Sequence, residues 1–234
     1  MIKANNNGFT LVELAIVMVV IGLLIGGVLK GQEMIGNAKI TATINQVKSY
    51  QGATQTFKDM YRFWPGDMPS PNLRLNNCTI ANFCAHTDPS LVGDGWLLSE
   101  EERQAYWGQL NAANLITGID PTKGLFPGGV YPESKLNTSM FVTSAQGNGD
   151  ITVLPGAVIR HGHYFWYPEG AGQYAPSLTP SQAQRLDDKL DDGNPSAGSV
   201  LAWDDADCSV QVNGAWRYNE SETEIFCSPY ILGF

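Results

Sequence analysis

The stretch Gly8-Phe9-Thr10-Leu11-Val12-Glu13 leads into an apolar run, Leu14 to Leu29, that carries no charged side chain. The segment from Phe9 to Leu29 is long enough to cross a bilayer as a helix, because about 20 residues at roughly 1.5 Å each cover the ~30 Å hydrocarbon core. Glu13 lies inside this span, where an ionisable group costs about 2.5–3.5 kcal/mol on insertion scales. The sequence therefore predicts a membrane-inserted helix whose carboxylate needs a partner.

The polar leader distinguishes this N terminus from an ordinary secretory signal. Such a signal has a small-residue cleavage site after its apolar core. No Ala-x-Ala follows Leu29, whereas Gly8 ends the polar segment in front of the run. We therefore expect cleavage between Gly8 and Phe9, which leaves the hydrophobic helix on the mature protein.

The segment GFTLVELAIVMVVIGLL at residues 8–24 resembles the leader and first helix of type IV pilins and type II secretion pseudopilins. The resemblance implies that a dedicated membrane peptidase cuts after Gly8 and methylates the new amino terminus of Phe9. It also implies that Glu13 meets the free amino terminus of a neighbouring subunit. By position alone Glu13 also fits an interfacial residue of a plain anchor, but its combination with Gly8, Phe9 and the uncleaved run favours the pilin interpretation.

The chain is expected to have four parts: a leader peptide at 1–8, the transmembrane half of a helix at 9–29, its amphipathic half at 30–62, and a globular head at 63–234. No proline precedes Pro65, so one helix is predicted from about Thr10 to Arg62. Its second half repeats apolar residues near the 3.6 period, namely Ile40, Ile44, Val47, Tyr50, Phe57 and Tyr61. Gly22 and Gly26, with Gly27 and Gly31, permit either close helix approach or local melting.

Two further helices are predicted in the head. The turn Trp64–Asp67 ends the first helix, and a loop follows from Met68 to Asp94. Ser99 and Glu102 form a capping-box pattern before a helix to about Ile116, with Tyr106, Leu110 and Ala113 facing inward and Gly118 as its stop. Thr179, Pro180 and Gln182 mark the start of another helix, which Gly193 is expected to close.

The remaining pattern has a period of two, which is typical of strands separated by turns. The predicted strands are Met140–Val142, Ile151–Leu154, Ala157–His161, His163–Tyr167, Ser199–Trp203 and Cys208–Val212. A long helix followed by an antiparallel sheet is an α+β fold. This agrees with the pilin-like head that the resemblance implies.

Charge and cysteine content restrict the function. The net charge is −9 and only 14 Lys and Arg are present among 234 residues, which argues against a nucleic-acid partner. The four cysteines form two local pairs, and none has metal-type C-x-x-C spacing. Because an exported head meets an oxidising environment, we expect the disulfides Cys78–Cys84 and Cys208–Cys227.

No catalytic constellation is apparent in the sequence, so we do not expect an enzyme. His161 and His163 would share one face of a strand, but no neighbouring ligand set completes a metal site, and core or surface histidines are favoured. Ser196 lacks the first glycine of a nucleophile elbow.

A Ca²⁺ site is expected in the acidic C-terminal part of the head. On the helix after Thr179, two pairs of aspartates lie at i,i+4, where like charges repel and a bound cation would relieve the repulsion. The pairs are Asp187 with Asp191 and Asp188 with Asp192. Further oxygen ligands of the kind that Ca²⁺ takes are available at Asp94, Asp204, Asp205 and Asp207. The alternative is a solvated acidic face on an acidic protein.

The sequence thus predicts a structural subunit of a type IV pilus or a type II secretion pseudopilus. The expected partners are homologous pilin-like subunits, the prepilin peptidase, the membrane assembly machinery and inner-membrane lipid. The expected location is the bacterial inner membrane, as a single span with the N terminus cytoplasmic and the head exported, and then a periplasmic pseudopilus or an extracellular pilus. The alternative is a monomeric, membrane-anchored exported domain that binds a ligand or acts as an enzyme.

Overall fold

The structure, a computed structural model, describes residues 10–136, 140–146, 151–166, 178–203, 207–224 and 227–234. The chain divides into two compact units, Met1–Lys39 and Ile40–Phe234. Helix α1 (Leu11–Tyr61) begins in the first unit and ends in the second. We call the second unit the head. It combines helices with an antiparallel sheet, and the α+β prediction is confirmed.

The first part of α1 is a helix whose apolar side chains are exposed. Large hydrophobic residues from Leu11 to Leu29 lie open on its surface, for example Leu11 at 87% and Leu23 at 77% exposure. By length and composition this helix is able to cross a membrane. A helix that is apolar on all sides needs lipid or protein around it, because water would contact all of that surface.

The second part of α1 buries one face in the head. The buried side chains are Ile40, Thr43, Ile44, Val47, Tyr50, Thr54 and Phe57, and Tyr61 is half-buried. The apolar members are those that the 3.6 period predicts. Thr54 is hydrogen-bonded, as buried polar groups usually are, since its Oγ1 lies 2.8 Å from the Tyr50 carbonyl oxygen and 2.5 Å from Tyr106 Oη. Thr43 Oγ1 is buried without a hydrogen-bond partner among the described residues.

The turn after α1 packs directly on the second helix, α2 (Glu100–Ala112). Gly66 has φ +90°. A Cβ atom at this position would lie 2.5 Å from the Glu102 carbonyl oxygen. The Gly66 amide also donates to Gln109 Oε1 at 2.7 Å. Only glycine fits this conformation and this close approach, so the turn fixes Asp67 against the start of α2.

Helix α2 starts as predicted and ends earlier. The Ser99 hydroxyl accepts from the Glu102 amide, and the Glu102 carboxylate accepts from the Ser99 amide. The predicted extension to Ile116 with a stop at Gly118 is wrong. Asn114 adopts φ +58°, and the Leu115 amide bonds back to the Leu110 carbonyl at 3.0 Å. This bond is that of a Schellman motif, which ends the helix at Ala112 because asparagine tolerates the left-handed conformation.

The third helix, α3 (Pro180–Leu190), has the predicted cap. Thr179 and Gln182 form the reciprocal capping box, and Pro180 occupies the first turn. The helix ends at Leu190 rather than at Gly193. Gly193 has φ +75° in the turn that follows.

Six strands form two antiparallel sheets in the described residues. They are β1 (Phe141–Ala145), β2 (Gly162–Trp166), β3 (Val200–Leu201), β4 (Ser209–Val212), β5 (Ala215–Tyr218) and β6 (Tyr230–Leu232). The larger sheet has the order β1-β2-β6-β3, and β4 pairs with β5. The C-terminal strand therefore lies between two strands that precede it in the chain.

Two of the predicted strands are wrong. Residues 151–154 and 157–161 form no ladder, although Ile151 and Leu154 are buried. Ile151 packs in a cluster with Ala145, Tyr164 and Tyr230, from β1, β2 and β6. An irregular segment that covers a sheet buries scattered apolar residues, and its sequence can therefore resemble that of a strand.

Both faces of the larger sheet are covered. Val142, Phe165, Ile231 and Val200 form one cross-strand row and belong to the main core. That core also contains the buried face of α1, where the Tyr50 ring lies 6.4 Å from the Phe165 ring. Burial on both faces agrees with the uninterrupted burial of β1, which includes the polar residues Thr143 and Ser144, and gives the head its own hydrophobic core.

Candidate functional sites

The N-terminal processing site falls partly outside the described residues. Gly8 and Phe9 are not among them, and their roles stay predictions. Glu13 lies in the first turn of α1, where its Oε2 accepts from the Thr10 amide and from Thr10 Oγ1, both at 2.8 Å. The carboxylate is thus held at the N-terminal end of the helix, where the macrodipole favours a negative charge.

Both local cysteine pairs are bonded in the structure. Cys78 and Cys84 close a ring around the short 3₁₀ helix Ile80–Asn82. Cys208 and Cys227 join the residue before β4 to the segment that enters β6. The second bond therefore ties the small sheet to the path of the C-terminal strand.

The histidines do not come together as a metal site. His163 is buried in β2 and His161 is exposed. His163 Nδ1 lies 2.7 Å from Ser144 Oγ, and this oxygen accepts from the Leu97 amide at 2.8 Å. Burial, aided by the positive charge of Lys58, lowers the pKa of His163 to about 4. His163 is thus a neutral core residue with a satisfied ring nitrogen.

The predicted C-terminal cation ligands are brought together in part. One carboxylate oxygen each of Asp187, Asp191 and Asp192 lie within 4.8 Å of one another, whereas Asp188 is not in this group. Asp204 and Asp205 lie outside the described residues, and Asp94 belongs to a different cluster. The cation site at Asp187, Asp188, Asp191 and Asp192 stays a prediction.

The carboxylates of this C-terminal group already have protein partners. Asp187 is buried, and it accepts from Tyr218 Oη at 2.9 Å and from the Gly193 amide at 3.2 Å. Asp191 accepts from the Ser199 amide. Burial raises the pKa of Asp187 to about 7 in spite of the Tyr218 hydrogen bond. Asp187 therefore acts as a hydrogen-bonded anchor between α3 and β5.

The structure brings together a second acidic cluster that sequence reasoning missed. One carboxylate oxygen each of Asp67, Asp94 and Glu102 lie within 4.8 Å of one another. They come from the turn after α1, from a Gly-Asp-Gly loop and from the first turn of α2. The Gly-Asp-Gly phrase signals a tight loop, but no local pattern links it to a residue 27 positions earlier.

Backbone amides hold the Asp67 carboxylate in place. Its Oδ1 accepts from Gly93 N at 2.5 Å and from Asp94 N at 3.1 Å, and its Oδ2 accepts from Gly95 N at 3.0 Å. Gly93 and Gly95 have φ near +90°, so consecutive amides point into one concavity. Burial, together with repulsion from Asp94, nevertheless raises the pKa of Asp67 to about 6.

Comparison with known proteins finds one family match. Residues 3–29 match the prokaryotic N-terminal methylation motif, which is the signature of type IV pilins and pseudopilins. No curated protein and no solved structure matches the chain. The resemblance of residues 8–24 to this signature is confirmed, and the match does not extend to the head.

Proposed function

We propose that this chain, which carries the N-terminal methylation motif of type IV pilins and pseudopilins, is a processed structural subunit of a filament assembled from the bacterial inner membrane. The filament is a type IV pilus or a type II secretion pseudopilus. The observation that carries the proposal is the motif at residues 3–29, which leads into the single helix α1. Cleavage in front of the helix would leave an apolar segment joined without a break to the head.

The exposed apolar surface of α1 supports a role in assembly. Side chains from Leu11 to Leu29 are open on all sides of the helix. In the membrane, lipid covers this surface. In a filament the same surface packs against the helices of other subunits, so one segment serves both as anchor and as assembly interface.

Glu13 is the residue that we assign to subunit contact. Its carboxylate, bonded to Thr10, lies four residues from Phe9, whose amino group becomes the N terminus after cleavage. A carboxylate in an apolar environment is stabilised by an opposite charge. The amino terminus of a neighbouring subunit supplies that charge at the same membrane depth.

Location and partners follow from this assignment. The subunit enters the inner membrane as a single span with its N terminus cytoplasmic and its head exported, where disulfides form. Its partners are the prepilin peptidase, the assembly machinery, membrane lipid and other pilin-like subunits. We propose no catalytic activity.

Mass spectrometry of the mature protein tests the processing step. In cells that contain the peptidase we expect a chain that begins with N-methylated Phe9, and in cells that lack it an intact leader. An intact Met1 in the first cells, or a cut after Leu29, would refute the proposed cleavage.

Substitution of Glu13 tests assembly separately from folding. Glu13→Ala should insert into the membrane at least as well as the native chain, because it removes a charge from the span, yet it should fail to enter filaments efficiently. Glu33→Ala is the matched control, since Glu33 lies on the same helix beyond the span and pairs with Lys30 at 2.8 Å. Equal filament incorporation of both variants would contradict the assigned role.

Two observations separate the remaining alternatives. A monomeric tethered domain should function without the leader peptidase, whereas a filament subunit should lose its function when the peptidase gene is deleted. Electron microscopy of sheared surface material, labelled for this protein, distinguishes an extracellular pilus from a pseudopilus that stays in the periplasm.

A further inference from the structure

The acidic cluster of Asp67, Asp94 and Glu102 contains a buried oxygen without a partner. Glu102 is only 2% exposed. Its Oε2 accepts from the amides of Leu98 and Ser99 at 3.0 and 2.8 Å, but its Oε1 is buried and has no hydrogen-bond partner. A buried carboxylate oxygen that lacks a partner carries a large desolvation cost.

Protein cations do not balance the charge of this cluster. Within the described part of the chain, no Lys or Arg side-chain nitrogen lies within 4 Å of the three carboxylates. Lys58 interacts electrostatically with Asp67, but its ammonium lies over the Trp64 ring at 3.3 Å, and Arg103 donates to the Leu98 carbonyl at 2.9 Å. Three carboxylates, two of them buried, therefore converge without a direct ion pair to a Lys or Arg side chain of the described residues.

The surrounding structure holds these carboxylates in fixed positions. Three backbone amides bind Asp67, and Asp94 Oδ1 accepts from the Trp96 amide at 2.9 Å. Each carboxylate oxygen has two lone pairs, so it can accept an amide hydrogen and still bind a cation. The amides thus act as outer-shell partners that orient the ligands.

We propose that Asp67, Asp94 and Glu102 form a Ca²⁺ site that joins the turn after α1 to the first turn of α2. The ligand oxygens lie within 4.8 Å of one another. A Ca²⁺ ion with oxygens at roughly 2.3–2.6 Å spans about 5 Å between opposite ligands, so the cluster can hold it with little rearrangement. Mg²⁺ requires shorter, near-octahedral contacts and keeps several waters, and a site of three convergent carboxylates suits it less well.

This site differs from the predicted one in the C-terminal part of the head. There, both oxygens of the buried Asp187 accept hydrogen bonds, as those of Asp67 do here, and no carboxylate oxygen of that cluster is buried without a hydrogen-bond partner. The two clusters each group three carboxylates, but the buried oxygen without a partner belongs to Glu102. A substitution in the C-terminal cluster therefore tests whether a bound Ca²⁺ occupies that predicted site instead.

The test measures Ca²⁺ binding to the full chain in detergent micelles, by calorimetry and by thermal melts. We expect a Ca²⁺ concentration ten times Kd to raise the melting temperature by roughly 3–6 °C over chelator, and an equal concentration of Mg²⁺ to raise it less. Glu102→Gln keeps the helix cap, as Gln182 does in α3, and should weaken Ca²⁺ binding at least about tenfold. Asp94→Asn, at an exposed loop position, should weaken binding similarly without affecting the core.

Terbium luminescence locates the bound ion. Tb³⁺ occupies Ca²⁺ sites and is excited by a nearby indole. Trp96 follows Asp94 by two residues, so Trp96→Phe should reduce the sensitised emission and leave the Ca²⁺ affinity within about twofold. Asp191→Asn, in the C-terminal cluster, should change neither quantity.

Three outcomes would overturn the proposal. The first is a melting temperature that is the same in Ca²⁺ and in chelator. The second is Ca²⁺ binding that survives both Glu102→Gln and Asp94→Asn. The third is binding that is lost in Asp191→Asn instead. None of these results depends on filament assembly, so the proposed function stands or falls separately.

Discussion

Protonation of His163 should destabilise the head in mild acid. The imidazole is 4% exposed and stacks on the Phe234 ring at 4.6 Å, with Trp64 at 5.3 Å and Trp96 at 5.7 Å. Ser144 Oγ, which accepts from the Leu97 amide, lies 2.7 Å from Nδ1. The folded protein therefore holds the neutral ring, and a charged ring would lie in an apolar pocket.

The size of this effect follows from proton linkage. The pKa of His163 falls from 6.5 to about 4 on folding. Above pH 6.5 the imidazole is neutral in both states, and the free energy of unfolding has its full value. As the pH falls from 6.5 toward 4, the unfolded chain binds the proton before the folded protein does, so the free energy of unfolding decreases. The full difference corresponds to about 3 kcal/mol, and about 2–3 kcal/mol of it is lost by a pH near 4.5.

Urea unfolding of residues 37–234, followed by tryptophan fluorescence near pH 7 and pH 4.5, measures the effect. The main core lies within Ile40–Phe234, so we expect this segment to fold alone. His163→Phe keeps the ring stacking and removes the titrating group. Between the two pH values the native head should lose about 2–3 kcal/mol more than the variant.

The comparison of variants removes the contribution of the acidic groups. The raised pKa values of Asp67 and Asp187, about 6 and about 7, act with the opposite sign, because the folded state binds their protons more tightly and gains stability as the pH falls. These groups are present in both proteins, so their effect cancels in the difference. The exposed His161 provides a control, His161→Gln, that should follow the native protein. Parallel pH dependences of the native head and His163→Phe would refute the reasoning.

Three further predictions concern the stability of the same soluble head, each measured by urea unfolding. Gly108→Ala should lower the free energy of unfolding by about 1–3 kcal/mol, because its Cβ would overlap the Phe83 carbonyl oxygen. Gly52→Ala, in an open helical position, should raise the free energy of unfolding by up to about 1 kcal/mol. Equal effects of the two substitutions would contradict the packing argument. Replacement of Cys208 and Cys227 by serine should lower the free energy of unfolding by roughly 3 kcal/mol, because the unfolded chain gains loop entropy. Peptide mapping that finds these thiols free in the native head would contradict the prediction. Thr179→Ala should cost about 1 kcal/mol by loss of the α3 cap, and Thr179→Ser should restore most of it.

Elements with local signals were predicted from the sequence. The capping boxes at Ser99 and Thr179 depend on residues three positions apart, so their hydrogen bonds form wherever the helix forms. The buried face of α1 from Ile40 to Phe57 follows directly from the helical period. The hairpin of β4 and β5 also had a local signal, Asn213-Gly214 with positive φ at both residues, although β5 was not predicted.

Elements that depend on distant partners were not predicted. The three-residue strand β6 exists because β2 and β3 supply hydrogen bonds on both sides, and its sequence is too short to show a period. The end of α2 at Ala112 depends on the left-handed conformation of Asn114. From the sequence alone, Gly118 was the more obvious residue to end the helix. Residues 151–154 pack on the sheet but form no strand, because a buried apolar segment becomes a strand only where a neighbouring strand edge is available for hydrogen bonding.

The sequence by itself determined the N-terminal methylation motif, the apolar helix that follows it and the capped starts of α2 and α3. These features depend on composition and spacing within a few turns of chain. Only the tertiary structure decided that Asp67, Asp94 and Glu102 converge. The close packing of Gly66 on α2 places the turn of Asp67 at the start of that helix, and the loop of Asp94, 27 residues later in the chain, bonds to the same turn. Long-range packing of this kind is set by the whole core, which no local pattern encodes.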